Sequence, residues 1–290
     1  MRNLTEATVT DAVLATLAQT PDPRLREIVA SLVRHLHAFV REVEPTEAEW
    51  LAGVRFLTAV GQMCDARRQE VILLSDTLGV SILVDAINHR KPAGATASSV
   101  LGPFYREGAP DLALGASIAG TTPGEPAIVS GRVTTPEGTP IAGACLDVWQ
   151  TAPNGLYDVQ DPAQPGMNLR GRFRTDAAGR YELRTVKPTS YPIPEDGPVG
   201  PMLRALGRHP YRPAHIHFIV SADGYDPVTT MLFVEGDPYL DSDAVFGVKS
   251  SLVVDFVRHD APAEAEARGV TAPFYTLTYD FGLTRGTPRG

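Results

Sequence analysis

Two histidines separated by one residue are candidate metal ligands. They are His215 and His217, in the segment RPAHIHFIV at 212–220. The segment has the composition of a β-strand, and side chains two positions apart on a strand point to the same face. A pair of neutral imidazoles on one face suits iron, copper, zinc or nickel. The other interpretation is a pair of exposed or hydrogen-bonded strand histidines, and the pair alone leaves both open.

Two tyrosines in loops are candidates for the remaining ligands. Tyr157 ends the sequence NGLY at 154–157, and Tyr191 lies in SYPIP at 190–194. Turn- and proline-rich loops hold functional side chains at the end of a rigid sheet. A phenol ionises only near pH 10, so a phenolate needs a strong local positive charge. A trivalent metal supplies that charge, and a hard phenolate oxygen suits Fe(III). Taken singly, each tyrosine could equally be a corner or core residue of the sheet.

The residues up to about position 92 show helical periodicity. Between residues 22 and 43 the apolar residues recur on one face of a helix, and Pro45 ends that pattern. Thr46 and Glu49 form a T-x-x-E capping box for a second helix. Residues 70–88 are apolar nearly all round, which predicts a helix buried on more than one face.

From about residue 127 the chain changes to short alternating runs separated by turn residues. Examples are AIVSGRV, ACLDVWQ, HIHFIVS and YTLTYDF. Such runs are typical of a β-sandwich or barrel. The sequence therefore predicts a mainly β protein, with a β-sandwich preceded by an N-terminal helical segment, divided into regions 1–105 and 106–290.

Composition and charge exclude several classes of protein. The 290 residues carry a formal net charge of −8, which argues against a nucleic-acid partner. The two cysteines are far apart and do not indicate a disulfide framework. The N-terminal sequence lacks the apolar run of a signal peptide, and no 18-residue apolar stretch indicates a membrane span. We therefore expect a cytoplasmic protein.

The combined motifs resemble the intradiol ring-cleaving dioxygenases. NGLY, SYPIP and RPAHIHF occur in the order and at the intervals of that family, and VLGPFYREGAP at 100–110 matches as well. The resemblance covers nearly the whole chain. It implies that Tyr157, Tyr191, His215 and His217 hold a non-haem Fe(III). It also implies that Tyr191 leaves the metal when the substrate binds and then acts as a base, and that Arg212 places a permanent cation beside the ring.

Within that family the chain is most similar to the hydroxyquinol 1,2-dioxygenases. The segments that carry this similarity are ILLSDTLGVSILVD, VLGPF and EGDPYLDSDAVFGVKSSLV. The similarity implies cleavage of hydroxyquinol (1,2,4-trihydroxybenzene) by O2 to 3-hydroxy-cis,cis-muconate, equivalent to maleylacetate, in aromatic degradation. The ring pocket of those relatives matches, besides Arg212, the residues Leu73, Asp76, Val100, Leu101, Gly102, Pro103, Ile193, Pro194 and Val245.

Asp76 is the pocket position with the clearest chemical meaning. A carboxylate there would accept a hydrogen bond from the additional ring hydroxyl, which a plain catechol lacks. The alternative is an acid on the surface of a helix. Met231 departs from part of the family, because many catechol-cleaving relatives carry a glutamine there that could donate a hydrogen bond near the iron. The resemblance also implies a homodimer through the N-terminal helices, with a lipid-like molecule bound at the helical interface.

Three other functions remain open at the level of the sequence. The same iron chemistry could act on catechol, chlorocatechol or methylcatechol. Residues 131–144 resemble transthyretin-like binding modules, which carry no metal. An Fe(II) site of two histidines and one carboxylate would need an acidic ligand, for which Asp158 is available.

Overall fold

Helices form the first part of the chain and strands most of the remainder. The structure is a computed structural model that describes residues 2–65 and 68–286. The first elements are α1 (Val9–Thr16), a 3₁₀ turn (Leu17–Gln19), α2 (Pro23–Val43), α3 (Glu47–Gln62), α4 (Glu70–Thr77) and α5 (Val80–Asn88). The first strands are β1 (Pro126–Thr134), β2 (Cys145–Trp149), β3 (Arg170–Arg174), β4 (Arg180–Val186) and β5 (Tyr191–Pro192).

The remaining elements alternate strands with short helices. They are α6 (Val199–Ala205), β6 (Tyr211–Arg212), β7 (His215–Ser221), β8 (Val228–Val234), a 3₁₀ turn (Ser250–Leu252), β9 (Val253–Val254), β10 (Val257–His259), α7 (Pro262–Arg268), β11 (Phe274–Thr278) and β12 (Phe281–Gly282). Among the residues described, no helix has the length and apolar character needed to cross a membrane.

The chain divides into two compact units, Met1–Ala59 and Val60–Gly290. The predicted division into regions 1–105 and 106–290 concerns function rather than compactness, and it stays a prediction. Parts of those two regions, namely Met1 and residues 66–67 and 287–290, lie outside the described residues.

The helix boundaries in the first unit follow from capping. Asp22 accepts hydrogen bonds from the backbone N–H groups of Arg24 and Leu25 at 2.8 and 3.2 Å, which starts α2. The capping box before α3 is present, because Thr46 N–H donates to Glu49 at 2.8 Å and Glu49 N–H donates to Thr46 at 3.3 Å. Both boundaries confirm the sequence-based prediction.

Residues 70–88 depart from the prediction of one helix buried on more than one face. Gly79 has a φ of 73°, a left-handed conformation that interrupts the helical hydrogen bonding and separates α4 from α5. The two short helices bury Leu73 and Asp76, whereas Leu83 and Val84 remain 60% and 53% exposed. The prediction of one helix buried on more than one face was wrong, since Gly79 divides the segment and each short helix keeps exposed apolar residues.

The second unit contains two five-stranded sheets that share one apolar core. One sheet has the order β10-β11-β1-β12, with β4 paired to β1; the other has the order β3-β2-β7-β8-β9. Side chains from both sheets belong to one buried cluster, for example Val129 and Leu183 from the first and Val148 and Phe218 from the second. This arrangement confirms the mainly β fold with an N-terminal helical segment.

The second sheet also positions the candidate ligands. Strands β2, β7 and β8 are antiparallel neighbours, and their register aligns Trp149, His217 and Met231 in one row across the sheet. The alternate residues, such as Val148 and Phe218, point into the core. One face of this sheet therefore fills the sandwich, and the opposite face carries the polar site.

Candidate active site

His215 and His217 converge on one point. They are the first and third residues of β7, their side chains point from the same face of the strand, and each residue is 2% exposed. Their Nε2 atoms are 3.1 Å apart. His215 Nδ1 lies 2.7 Å from the carbonyl oxygen of Pro213, which can only accept, so Nδ1 carries the proton and Nε2 offers a lone pair.

Tyr157 and Tyr191 complete the cluster. The hydroxyl of Tyr157 is 3.0 Å from His217 Nε2 and 3.2 Å from the hydroxyl of Tyr191. Gly155, with a φ of 80°, turns the chain close to Tyr191, and a Cβ at Gly155 would lie 3.2 Å from the Cβ of Tyr191. The loops thus bring together the four side chains that were predicted as ligands.

Burial favours the uncharged forms of His215, His217 and Tyr157 by shifting the pKa of each. Burial, followed by the nearby Arg212, lowers the pKa of His215 to about 3, and burial together with His215 lowers the pKa of His217 well below its usual range. Burial and the neighbouring Tyr191 raise the pKa of Tyr157 well above 10. Neutral imidazoles are the form that binds metals, whereas a phenolate at this position needs a positive charge beside it.

The geometry of the cluster fits a metal ion. The successive donor atoms are 3.0 to 3.2 Å apart, and neighbouring ligands that each lie about 2.0–2.1 Å from one ion have a separation of about 3 Å. Two imidazole nitrogens and two phenol oxygens form a hard donor set that suits Fe(III). Asp158 is engaged elsewhere, since its carboxylate accepts from Arg170 and Arg106 at 2.6 and 2.7 Å. In the described part of the chain, no three His, Cys, Asp or Glu side chains form another metal cluster.

Arg212 borders the cluster as a buried cation. Its Nη1 is 3.3 Å from His215 Nε2, and its Nε and Nη2 donate to the two oxygens of Asp243 at 3.0 and 3.2 Å. Burial opposes the charge on Arg212, but Asp243 and Tyr191 outweigh burial and raise the pKa of the guanidinium. Strands β5 and β6 place Arg212 directly opposite Tyr191.

Asp243 and Met231 hold Arg212 from the far side. The carboxylate of Asp243 also accepts from the backbone N–H groups of Val245 and Gly247. Sequence reasoning missed Asp243, because one carboxylate within DSDAVFG has no local signal that distinguishes it. Met231 lacks the donor group that a glutamine would offer, and its thioether sulfur lies 3.3 Å from Arg212 Nη2 as a weak acceptor.

The predicted pocket residues differ in their burial and in their contact with the cluster. Leu73, Asp76, Val100, Ile193 and Val245 are buried, whereas Leu101 is 42% exposed. Gly102 lies against the site, since a Cβ there would be 3.5 Å from His217 Cε1. A cavity of about 380 Å³ is lined by three of the predicted residues, Leu73, Pro103 and Pro194. Phe104 also lines this cavity, and its ring stacks on that of Tyr157 with the ring centroids 4.6 Å apart.

Comparison with known proteins assigns the chain to a family. Residues 22–96 match the family model for the catechol dioxygenase N terminus, and residues 100–284 match the model described as dioxygenase. A hydroxyquinol 1,2-dioxygenase of Rhizobium sp. (strain MTP-10005) is 53% identical, over 95% of this chain and 94% of the relative. A 6-chlorohydroxyquinol 1,2-dioxygenase of Cupriavidus pinatubonensis is 50% identical, over 98% of this chain and 99% of the relative. The crystal structure of hydroxyquinol 1,2-dioxygenase from Pseudomonas putida DLL-E4 superposes with a TM-score of 0.90 at 54% identity, covering 97% of this chain and 99% of that one.

Proposed function

This chain belongs to the intradiol ring-cleaving dioxygenases, and from that membership we propose that it opens the ring of hydroxyquinol with O2. The product is 3-hydroxy-cis,cis-muconate, equivalent to maleylacetate, and both atoms of O2 end in the two new carboxyl groups. The observation that carries the proposal is the convergence of two imidazole nitrogens and two phenol oxygens, in which each successive pair of donor atoms lies within 3.2 Å. The alternative of a metal-free binding module leaves that convergence without a role.

The family is generally dependent on non-haem iron, and we propose that Tyr157, Tyr191, His215 and His217 hold Fe(III). Iron(III) bound there supplies a Lewis acid for the two adjacent ring oxygens and a route around the low reactivity of triplet O2 with closed-shell molecules. The donor set supports this assignment, because phenolate oxygens favour a hard trivalent ion over softer metals.

The protein's own groups then bind the ring and move its protons. The hydroxyl oxygen of Tyr191, in its phenolate form, accepts a proton from a ring hydroxyl of the incoming substrate. Arg212, fixed by Asp243, holds a permanent positive charge beside the ring where negative charge develops. Leu73, Ile193 and Val245 exclude water from the apolar side of the pocket.

Iron-loaded protein is expected to be reddish, because tyrosinate bound to Fe(III) absorbs visible light by charge transfer. It should also consume O2 when hydroxyquinol is added, and one equivalent of O2 per ring is the expected stoichiometry. An absorption spectrum and an oxygen electrode measure both properties. Colourless iron-loaded protein would contradict the tyrosinate ligands, whereas coloured protein that consumes O2 only with catechol or chlorocatechol would contradict the choice of substrate.

Replacing Asp76 by Ala is expected to remove the preference for the third ring hydroxyl. Asp76 is 3% exposed, its burial raises the pKa of the carboxyl, and a hydrogen bond with Ser81 partly offsets that effect. Loss of a hydrogen bond to a charged group should reduce the ratio of kcat/KM for hydroxyquinol to that for catechol about 10- to 100-fold.

Ser81→Ala is the matched control for Asp76, because it removes a partner of the carboxyl without altering the acid itself. Steady-state kinetics with hydroxyquinol and catechol should show a smaller change in this control. An unaltered hydroxyquinol preference in Asp76→Ala would rule out the assignment of Asp76 to the third hydroxyl.

We also propose that the N-terminal helices form a homodimer. Seven large apolar side chains along α2 are between 49% and 57% exposed in the single chain, namely Leu25, Ile28, Leu32, Leu36, Phe39, Val40 and Val43. Burying such a stripe against a second copy removes apolar surface from water. Sedimentation should show a dimer for the wild type and for Arg34→Glu, and a monomer for the pair Leu32→Glu and Phe39→Glu. A monomeric wild type would contradict the proposal.

Two further expectations accompany the dimer. A lipid-like molecule bound at the same helices would be recovered by organic extraction of the purified protein, and its absence from the extract would contradict that expectation. The cytoplasmic location expected from the sequence stays a prediction, which cell fractionation tests.

A further inference from the structure

The two histidines of the cluster are oriented by different contacts. His215 donates its Nδ1 proton to the carbonyl of Pro213 at 2.7 Å, which fixes the plane of its ring. His217 Nδ1 is buried and finds no hydrogen-bond partner within the described residues. A metal-bound histidine usually donates its second ring N–H to an acceptor, and that bond sets the direction of the coordinating nitrogen. Some other contact must therefore orient His217.

Trp149 provides that contact. It lies directly opposite His217 in the ladder between β2 and β7, so the two side chains leave the same face of the sheet side by side. Their rings are 4.6 Å apart and only 10° from parallel. Both residues are almost fully buried, at 1% and 2% exposure. An indole in such face-to-face contact prevents the imidazole from tilting out of its plane.

Tyr105 supports Trp149. The ring of Tyr105 is 5.0 Å from that of Trp149, and its hydroxyl donates to Asp147 at 3.2 Å. Asp147 precedes Trp149 by two residues on β2, so it lies on the same face of that strand. The indole thus contacts both the imidazole of His217 and the phenol of Tyr105, and these contacts together with its burial restrict its movement.

The indole nitrogen takes no part in this arrangement. Trp149 Nε1 is buried and has no hydrogen-bond partner among the residues described. Trp149 therefore contacts His217 through the face of its ring and not through a polar group. A different aromatic ring at position 149 should serve the same purpose, and an aliphatic side chain should not.

We propose that Trp149 is a positioning residue, which aims His217 Nε2 at the metal by stacking, as the carbonyl of Pro213 aims His215 by a hydrogen bond. The inference rests on the proposed function, because it takes His217 as an iron ligand. It assigns Trp149 to the iron site rather than to the packing of the sandwich.

The test compares Trp149→Leu with Trp149→Phe in iron-loaded protein. The rate of iron loss to a chelator and the position of the charge-transfer band are measured, neither of which requires turnover. We expect Trp149→Leu to lose iron about tenfold faster with a shifted band, and Trp149→Phe to stay within about twofold of the wild type. Equal behaviour of the two variants, or wild-type retention in Trp149→Leu, would overturn the proposal.

Phe173→Leu is the control for general loss of packing. Phe173 lies on β3 of the same sheet, is fully buried, and belongs to the core cluster on the opposite face. The Phe173→Leu variant should lower the urea midpoint of unfolding, as Trp149→Leu does, but it should retain iron as well as the wild type does. Faster iron loss in Phe173→Leu, equal to that in Trp149→Leu, would show that stability alone governs retention and would overturn the proposal.

A second pair of variants covers the case in which Trp149→Leu does not fold. Tyr105 is partly exposed and tolerates change more readily than Trp149. Tyr105→Leu removes the supporting ring and should hasten iron loss, whereas Tyr105→Phe removes only the hydroxyl and should not. Identical iron retention in both would overturn the proposal. A wild type without a charge-transfer band would instead contradict the proposed function itself.

Discussion

Replacing Tyr157 by Phe is expected to weaken and shift the charge-transfer band of the iron-loaded protein, since Tyr191 remains as a second tyrosinate, and to remove nearly all of its activity. The hydroxyl of Tyr157 is the central donor of the cluster, at 3.0 Å from His217 Nε2 and 3.2 Å from the hydroxyl of Tyr191. Phenylalanine keeps the ring that stacks on Phe104 but offers no oxygen to a metal. Because a bound metal contributes several kcal/mol to catalysis, kcat/KM should fall at least about 10³-fold.

Tyr181→Phe is the matched control. Tyr181 is also fully buried in the β domain, burial raises its pKa as it does for Tyr157, and its hydroxyl donates to the carbonyl of Tyr279 at 2.8 Å. This variant should lose about 1 kcal/mol of unfolding free energy and keep its iron, its colour and its turnover. Measurements of iron content, the absorption spectrum and oxygen uptake in both variants test this expected difference. A Tyr157→Phe variant with the absorption spectrum and activity of the wild type would exclude Tyr157 as a ligand.

Replacing Arg212 by Met is expected to reduce both stability and turnover, for separate reasons. The guanidinium and the Asp243 carboxylate are 3% and 4% exposed and pair at 3.0 Å. Removing the cation leaves a buried, unpaired carboxylate, which costs about 3–5 kcal/mol of unfolding free energy. Loss of the positive charge beside the ring should in addition lower kcat about 10²-fold or more.

The double variant Arg212→Met with Asp243→Asn separates the two effects. Asparagine carries no charge and keeps an oxygen for one of the two backbone N–H groups, because Val245 and Gly247 donate to different oxygens of Asp243. The unfolding free energy should therefore recover most of its loss, because replacing both charges of a buried pair is far less costly than removing one. Turnover should stay low. Recovery of kcat together with stability would show that Arg212 acts on the fold and not on the reaction.

The convergence of the histidines follows from sequence alone because it depends on one short segment. On a strand, positions 215 and 217 share a face whatever the neighbouring strands do. The two tyrosines are 34 residues apart and belong to different loops, so their meeting depends on how the whole sheet is assembled. Their assignment from sequence needed the family resemblance, which supplies the order and intervals of all four residues.

The groups that surround the ligands were harder to predict, because strand register determines them. Trp149 meets His217 only because β2 and β7 align these two residues. Asp243 reaches Arg212 from a loop 31 residues further along the chain. Neither pairing leaves a periodic pattern, and a tryptophan in a strand or an aspartate in a loop has many other uses. The break between α4 and α5 was missed for a related reason, since a single glycine outweighed a strongly helical composition.

Strand β1 can complete its pairing only late in the synthesis of the protein, because one of its neighbours lies near the end of the sequence. Beside its antiparallel neighbour β4, β1 pairs in parallel with β11, where Ala127 faces Tyr275, about 150 residues further along the chain. A nascent polypeptide therefore carries β1 with one open edge after all four proposed iron ligands, which precede β11 in the chain, have been synthesised. Parallel contacts between distant segments form slowly. Chaperones that shield exposed strand edges should accordingly raise the yield of this protein.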